Sequence, residues 1–183
     1  MFVNKSKIRS EILKVRKKKF NKKFKINLDK FISFLKINIR NTKNIGGYYP
    51  SNYEIDDLEI LDVLDKQNFK TSLPIIKKNN QMNFYSWSKK DPLKINKFGI
   101  PEPVSSKILY PDILLVPLVG YDKNLNRLGY GGGFYDRYIE KIDKIKKVTK
   151  IGLAFSCQKI NSVPIDQYDK KLDFIITEKE IIK

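Results

Sequence analysis

Ile113 to Val119, ILLVPLV, carries no polar side chain, and with Pro111 and Asp112 it forms the most apolar segment of the chain. An apolar run of this length, without polar and apolar residues in alternation, belongs in a central strand buried on both faces, as in parallel sheets. Soon after it comes Asn126 to Arg137, NRLGYGGGFYDR, and then a helical pattern over Tyr135 to Lys147. Strand, glycine loop and helix gather backbone N–H groups around an anion, because the first N–H groups of a helix have no internal partners and its dipole favours negative charge. Lys150 to Phe155 and Leu172 to Ile176 supply two further strands, with a helix or loop around Pro164 between them. Alternating strands and helices point to an α/β sheet with helices on both faces.

The rest of the chain reads as supporting elements. Residues 4 to about 20 form a helix with Ile8, Ile12 and Val15 as its apolar stripe; Lys5, Arg9 and Arg16 share a narrow sector beside it. On the pattern alone those cations read as solvated. Lys22 to Ile39 continues as a second helical stretch with Phe31, Phe34 and Leu35 in the core, and Ile45 to Tyr49 is a short strand ended by Pro50. YEIDDLEILDVL places Ile55, Leu58, Leu61 and Leu64 at three-residue spacing, a helix with its carboxylates near the favourable positive end. Thr71 to Ile76 and Met82 to Trp87 are strands around the turn Lys77 to Gln81; Trp87 is expected in the core. Ser88 to Tyr110, with Pro92, Pro101 and Pro103, is expected to be an irregular, functional excursion.

Composition narrows the chemistry. A chain of 183 residues suits one domain, 1–183, and no uncharged apolar run approaches the roughly 18 residues that span a bilayer. The start lacks the apolar block of a secretory signal, and its Lys-rich first 25 residues contain Glu11 and only Arg9 and Arg16, unlike a transit peptide. The lone Cys157 cannot form an internal disulfide and reads as a small buried residue; a reducing compartment, the cytoplasm, is expected. The net charge of +17 would attract any polyanion. Its excess is nearly all Lys spread along the chain, which favours composition bias over a nucleic-acid module. With no histidine, Ser-His triads, His-ligated zinc and imidazole acid-base catalysis are excluded.

The glycine stretch matches neither G-x-x-x-x-G-K-[ST] nor G-x-G-x-x-G, since the sixth position from Gly129 is Phe134. A tight structural turn is the plain alternative. Gly129, Gly131, Gly132 and Gly133 nevertheless let a ligand approach the backbone, and Arg127 and Arg137 offer planar forks suited to phosphate oxygens. Asp136 in the first turn of the helix would repel a phosphate unless a divalent cation lay between them.

RLGYGGGFYDR, preceded by LLVPLVGYD, resembles the signature of the 5-formyltetrahydrofolate cyclo-ligase (5,10-methenyltetrahydrofolate synthetase) family. KSKIR at Lys5 to Arg9, YEIDDLEI around Glu54, FGIPEP at Phe98 to Pro103, and IGLAFSCQ followed by VPIDQYDKKLD fall in the family's order, so the likeness spans almost the whole chain. It implies a three-layer Rossmann-like sheet, mostly parallel, of the type shared with certain sugar-phosphate isomerases and CoA transferases. It also implies ATP- and Mg-dependent conversion of 5-formyltetrahydrofolate to 5,10-methenyltetrahydrofolate, with ADP and phosphate released after the formyl oxygen is phosphorylated. By matched position, Lys5, Arg9, and Arg127 through Leu128, Gly129, Tyr130, Gly131, Gly132, Gly133 and Phe134 to Tyr135 would bind ATP, with Arg127 and Tyr135 catalytic. Tyr49 and Glu54, with Tyr130 to Phe134, would hold the folate, and Asp136 and Asp169 would hold magnesium. For two of these a plainer role stays open: Glu54 as a first-turn helix residue and Asp169 as a surface carboxylate. Tyr168 stands where the family frequently has His. The implied partner is a reduced folate, with no specific nucleic acid, no membrane and a monomeric state. A phosphate-handling isomerase of the same fold class, which needs no ATP, and a basic nucleic-acid module remain the rival readings.

Overall fold

The computed structural model describes residues 4–21, 25–39 and 42–183. Its centre is a seven-stranded sheet. Strands β1 (Asn44–Gly46), β2 (Lys70–Ile76) and β3 (Met82–Ser86) occupy one half. A small antiparallel hairpin follows, β4 (Leu93–Ile95) with β5 (Pro101–Pro103), and then β6 (Ile113–Pro117). Beyond β6 a second hairpin, β7 (Gly120–Tyr121) with β8 (Arg127–Leu128), leads to β9 (Thr149–Leu153), β10 (Phe174–Ile176) and β11 (Ile181–Ile182). The order across the main sheet is β11-β10-β9-β6-β1-β2-β3. Every pairing from β10 to β2 is parallel, and the two edges, β11 and β3, are antiparallel.

The apolar run behaves as its composition dictates. Along β6, Ile113 and Leu115 join the core that contains Phe31, Phe34 and Leu35 of helix α2 (Leu28–Asn38) and Ile60, Leu61 and Leu64 of α3 (Leu58–Lys66). Leu114 and Val116 join the core on the other face, with Tyr138, Ile139 and Ile142 of α4 (Phe134–Asp143). Successive strand residues point to opposite faces, so an apolar residue at each position buries β6 on both sides and makes three layers.

Helix α1 (Lys5–Lys19) starts at Asn4, whose side chain accepts from the backbone N–H of Ser6 and Lys7, and ends in four basic residues that complement the helix dipole. It docks on Val119, Leu128 and Val163 through Ile12, with Ile8 and Leu13 beside it, and so lies over the carboxyl end of β6. The apolar stripe differs from the sequence pattern: Val15 is exposed, and Arg16, expected in solvent, is buried.

Other boundaries shift for physical reasons. The helix expected over YEIDDLEILDVL begins only at Leu58, because Asn52 and Tyr53 adopt positive φ and turn the chain first. Ile55 is buried ahead of the helix, and Glu54 is not a helix residue, which removes the dipole explanation for it. The second helix starts at Leu28, capped by Asn27; Lys22 to Phe24 of the expected stretch lie outside the described residues. Ser88 to Tyr110 contains the β4–β5 hairpin, whose turn uses Gly99 at φ 74°. The glycine stretch leaves β8 and not the central strand directly, and α4 ends at Asp143, short of Lys147. Trp87 lies in the core, whereas Cys157 is only partly buried.

Candidate active site

Chain direction decides where a ligand can sit. From β1 the chain crosses through α3 to β2 on one side; from β6 it crosses through α4 to β9 on the other. Since β1 and β6 are parallel neighbours, their carboxyl ends flank the point where the sheet's winding reverses, the place where α/β sheets open a crevice. A cavity of about 820 Å³ opens there. Its two principal walls are the loop after β1, carrying Tyr48 to Glu54, and the glycine loop leading into α4.

The glycine loop is shaped for an anion. Gly131 and Gly133 have φ of 99° and 64°, conformations that side chains with a Cβ avoid. Gly133 is the N-cap of α4 and no side chain among the described residues caps that helix, so among those residues its first N–H groups have no side-chain acceptor. Two guanidinium groups brace the loop from outside it: Arg9 Nε donates to the Gly129 carbonyl (2.7 Å), and Arg137 donates to the carbonyls of Gly132 and Asn80. Arg127 is buried, and its Nη2 donates to Asp136 Oδ1 (2.7 Å). Lys5 Nζ bridges Asp166 (2.9 Å) and Asp169 (2.6 Å). Partial burial works against the Lys5 charge, but the two carboxylates outweigh it and hold its pKa above the usual lysine value.

The opposite wall carries carboxylates. Glu54 accepts from the Tyr130 hydroxyl at Oε1 (2.5 Å), and from Ser51 N (2.7 Å) and Ser51 Oγ (3.2 Å) at Oε2. Burial pushes its pKa up, against the pull of those donors and of Arg16. Behind it Asp57 is fully buried; its Oδ2 accepts from Tyr48 N (2.8 Å) and its Oδ1 has no partner among the described residues. Burial raises its pKa well above the usual aspartate value. Tyr135 supplies an aromatic face 5.8 Å from the Arg127 guanidinium; its hydroxyl has no partner among the described residues, and burial, with Asp57 and Glu54 nearby, raises its pKa well above the usual tyrosine value.

The structure brings Lys5, Arg9, Tyr49, Glu54, Arg127, Gly129 to Tyr135, Asp136 and Asp169 to this one cavity. Leu128 is the exception. Its side chain is buried with Ile12, Val119 and Val163, and its carbonyl is taken by Val119 N, so it supports the loop and does not line the cavity. Asp169 is half-hidden behind Lys5, not free on the surface, while Tyr168 is exposed at the rim. Among the residues at or behind the cavity that were not predicted as site residues are Arg16, Asp57, Phe98 and Asp166. Arg16 had a signal in its place in the sector of Lys5 and Arg9, and the other three lie within the motifs YEIDDLEI, FGIPEP and VPIDQYDKKLD, which do not single them out from their neighbours.

A cleft at the switch point of a mostly parallel sheet, with a glycine loop and helix N-terminus on one side and buried carboxylates on the other, defines an α/β enzyme of the Rossmann-like type. A family model described as the 5-formyltetrahydrofolate cyclo-ligase family matches residues 2–178, and the chain belongs to that family, an enzyme family of ligases. The 5-formyltetrahydrofolate cyclo-ligase of Haemophilus influenzae is 36% identical over 140 residues, 73% of this chain and 74% of that one. A probable 5-formyltetrahydrofolate cyclo-ligase of Schizosaccharomyces pombe is 31% identical over 140 residues, covering 68% and 69%. The solved structure of the Aquifex aeolicus 5,10-methenyltetrahydrofolate synthetase superposes with a TM-score of 0.75 at 29% identity, covering 97% of this chain and 91% of that one.

Proposed function

We propose that this protein, acting in one domain, closes 5-formyltetrahydrofolate to 5,10-methenyltetrahydrofolate, using ATP with magnesium and releasing ADP and phosphate. The formyl oxygen attacks the γ-phosphorus and ADP leaves; the folate N10 then attacks the activated formyl carbon and gives up its proton, and the C–O bond breaks to release phosphate. The observation that carries this reading is the shared cavity: an uncapped helix N-terminus with Arg9 and Arg127 on one wall, and Glu54 on the other.

Such chemistry asks little covalent work of the protein. Holding the weakly nucleophilic formyl oxygen in line with the γ-phosphate, and spreading the charge that develops on its oxygens, supply most of the rate. The loop N–H groups, Lys5, Arg9 and Arg127 would take the phosphates; Glu54, with two oxygens for paired N–H donors, would take the pterin ring, beside Tyr49 and the aromatic members of the loop.

The donor set fits magnesium. Four cations (Lys5, Arg9, Arg127, Arg137) meet five carboxylates (Glu54, Asp136, Glu140, Asp166, Asp169) around the cavity, so a polyphosphate needs further positive charge beside it. Asp136 and Asp169 would hold the ion. Among the described residues every hydrogen bond to Asp136 falls on Oδ1 and every one to Asp169 on Oδ2, leaving one oxygen of each. One or two carboxylates with substrate phosphates and water is the usual magnesium environment, in which the ion neutralises developing phosphate charge. No described helix is long and apolar enough to cross a membrane, and we place the enzyme in the cytoplasm. The purified protein should generate the near-ultraviolet absorbance of the methenyl product from 5-formyltetrahydrofolate, ATP and magnesium. Absence of that signal overturns the assignment, and a protein that binds no nucleotide favours a phosphate-handling isomerase of the same fold class.

A further inference from the structure

Arg16 is 1% exposed, and among the described residues it forms no ion pair with any carboxylate. Buried charges are normally paired, because desolvation is costly. Its hydrogen bonds show what it does instead. Nη1 donates to the Leu118 carbonyl (3.1 Å), just past β6. Nη2 donates both to the Asn52 carbonyl (2.7 Å), in the positive-φ turn before Glu54, and to the Tyr130 hydroxyl (2.6 Å) in the glycine loop. Nε has no partner.

Guanidinium groups only donate. The Tyr130 oxygen therefore accepts from Arg16, and its own proton goes to Glu54 Oε1 at 2.5 Å. Ser51 supplies two more donors to Glu54 Oε2. The counter-charge of Arg16 is thus Glu54, reached through one phenol.

We propose that Arg16 is a positioning residue for Glu54: through Tyr130 and the Asn52 carbonyl it fixes the orientation of that carboxylate and keeps it a hydrogen-bond acceptor for the folate ring. The substrate half of this inference rests on the assignment of Glu54 to the folate made above. The same three contacts tie α1, the glycine loop and the loop after β1 together, so Arg16 sets the spacing of both cavity walls. A lysine, with one nitrogen, keeps the charge but cannot reproduce the fork.

The groups that bear on Glu54 are Arg16 from α1, Tyr130 from the glycine loop and Ser51 from its own loop, with Tyr48, Asp57 and Tyr135 within electrostatic reach. Burial raises the Glu54 pKa and Arg16 lowers it, so removing Arg16 moves the loss of the carboxylate to higher pH. The test titrates the Glu54 carboxyl by 13C NMR, assigned with Glu54→Gln, in the wild type, Arg16→Met, Arg16→Lys and Tyr130→Phe. Affinity for 5-formyltetrahydrofolate is measured by calorimetry on the same proteins, and melting curves check folding. We expect Arg16→Met and Tyr130→Phe to shift the titration upward, and Arg16→Lys to stay near the wild type. Arg16→Met should also weaken folate binding about tenfold, the usual scale for a hydrogen bond to a charged group, and raise KM more than it lowers kcat. Tyr130→Phe, on a loop, removes the bridge if Arg16→Met does not fold. An unmoved titration in folded Arg16→Met, or in Tyr130→Phe when Arg16→Met is unfolded, overturns the inference, since a merely structural role would lower only the melting temperature. A shifted titration in Arg16→Met or Tyr130→Phe, together with a wild type that binds no 5-formyltetrahydrofolate, upholds the positioning role and overturns the folate assignment instead.

Discussion

On the glycine-loop wall of the cleft, cations already hold carboxylates: Lys5 with Asp166 and Asp169, and Arg127 with Asp136. On the wall after β1, carboxylates are held by neutral donors: Glu54 by Tyr130 and Ser51, and Asp57 by Tyr48 N. The difference concerns what each wall does when a ligand arrives. Paired charges can exchange partners, so a phosphate or a metal ion can replace one half of a pair without leaving the other half buried alone. Carboxylates fixed by neutral donors hold one geometry before binding and lose little on meeting a ring with matching N–H groups. One wall is therefore built for exchange and the other for fit.

The largest effect that would sharpen this contrast is on the exchange wall. Arg127→Ala should lower turnover about 10³-fold, the scale of an arginine that stabilises a phosphoryl-transfer transition state, and single-turnover kinetics with ATP would measure it. A loss confined to folate KM would place Arg127 on the wrong wall. Next in size, Glu54→Gln replaces one acceptor with a donor; a site that pairs with ring N–H groups should then lose roughly 10- to 100-fold in affinity for 5-formyltetrahydrofolate with nucleotide affinity kept, read by calorimetry with each ligand. Equal weakening of both ligands would break the division into two walls.

The smallest effect concerns stability. Asp57 has a folded-state pKa raised well above the carboxylate value by burial. A raised folded pKa gives stability that is complete below the unfolded value, about 3.9, and is lost as pH rises toward the folded value. Asp57→Asn keeps an acceptor for Tyr48 N and cannot ionise, so it should change stability at low pH by only ~1 kcal/mol and flatten its decline as pH rises. Denaturant titrations across pH would show an unchanged decline if Asp57 remained ionised in the fold.

Several parts of this molecule could be read without coordinates because they depend on local rules. The central strand was legible in ILLVPLV, since only a strand covered on both faces accommodates an apolar residue at every position. The glycine loop and its helix were legible from positive-φ glycines ahead of an amphipathic turn. The sector of Lys5 and Arg9 was visible as periodicity, but its value was not, because a helical face looks the same whether it meets water or a loop 120 residues away, as Arg9 meets Gly129. Glu54 could be named from the family pattern, yet its turn could not: Asn52 tolerates positive φ but Tyr53 does not favour it, and the Asn52 carbonyl is held by Arg16 from a helix far away in the chain.

By itself, then, the sequence determined the layers of the sheet, the anion-shaped loop, the absence of imidazole chemistry and, through ordered motifs, the family. Tertiary structure alone decided that Arg16 is buried and Val15 exposed, that Leu128 belongs to the core, and that Lys5 and Arg16 find their counter-charges on distant segments. The physical reason is range. Periodicity and glycine report on neighbours a few residues apart, whereas a charge is placed by the dielectric and the partners that distant parts of the chain bring to it.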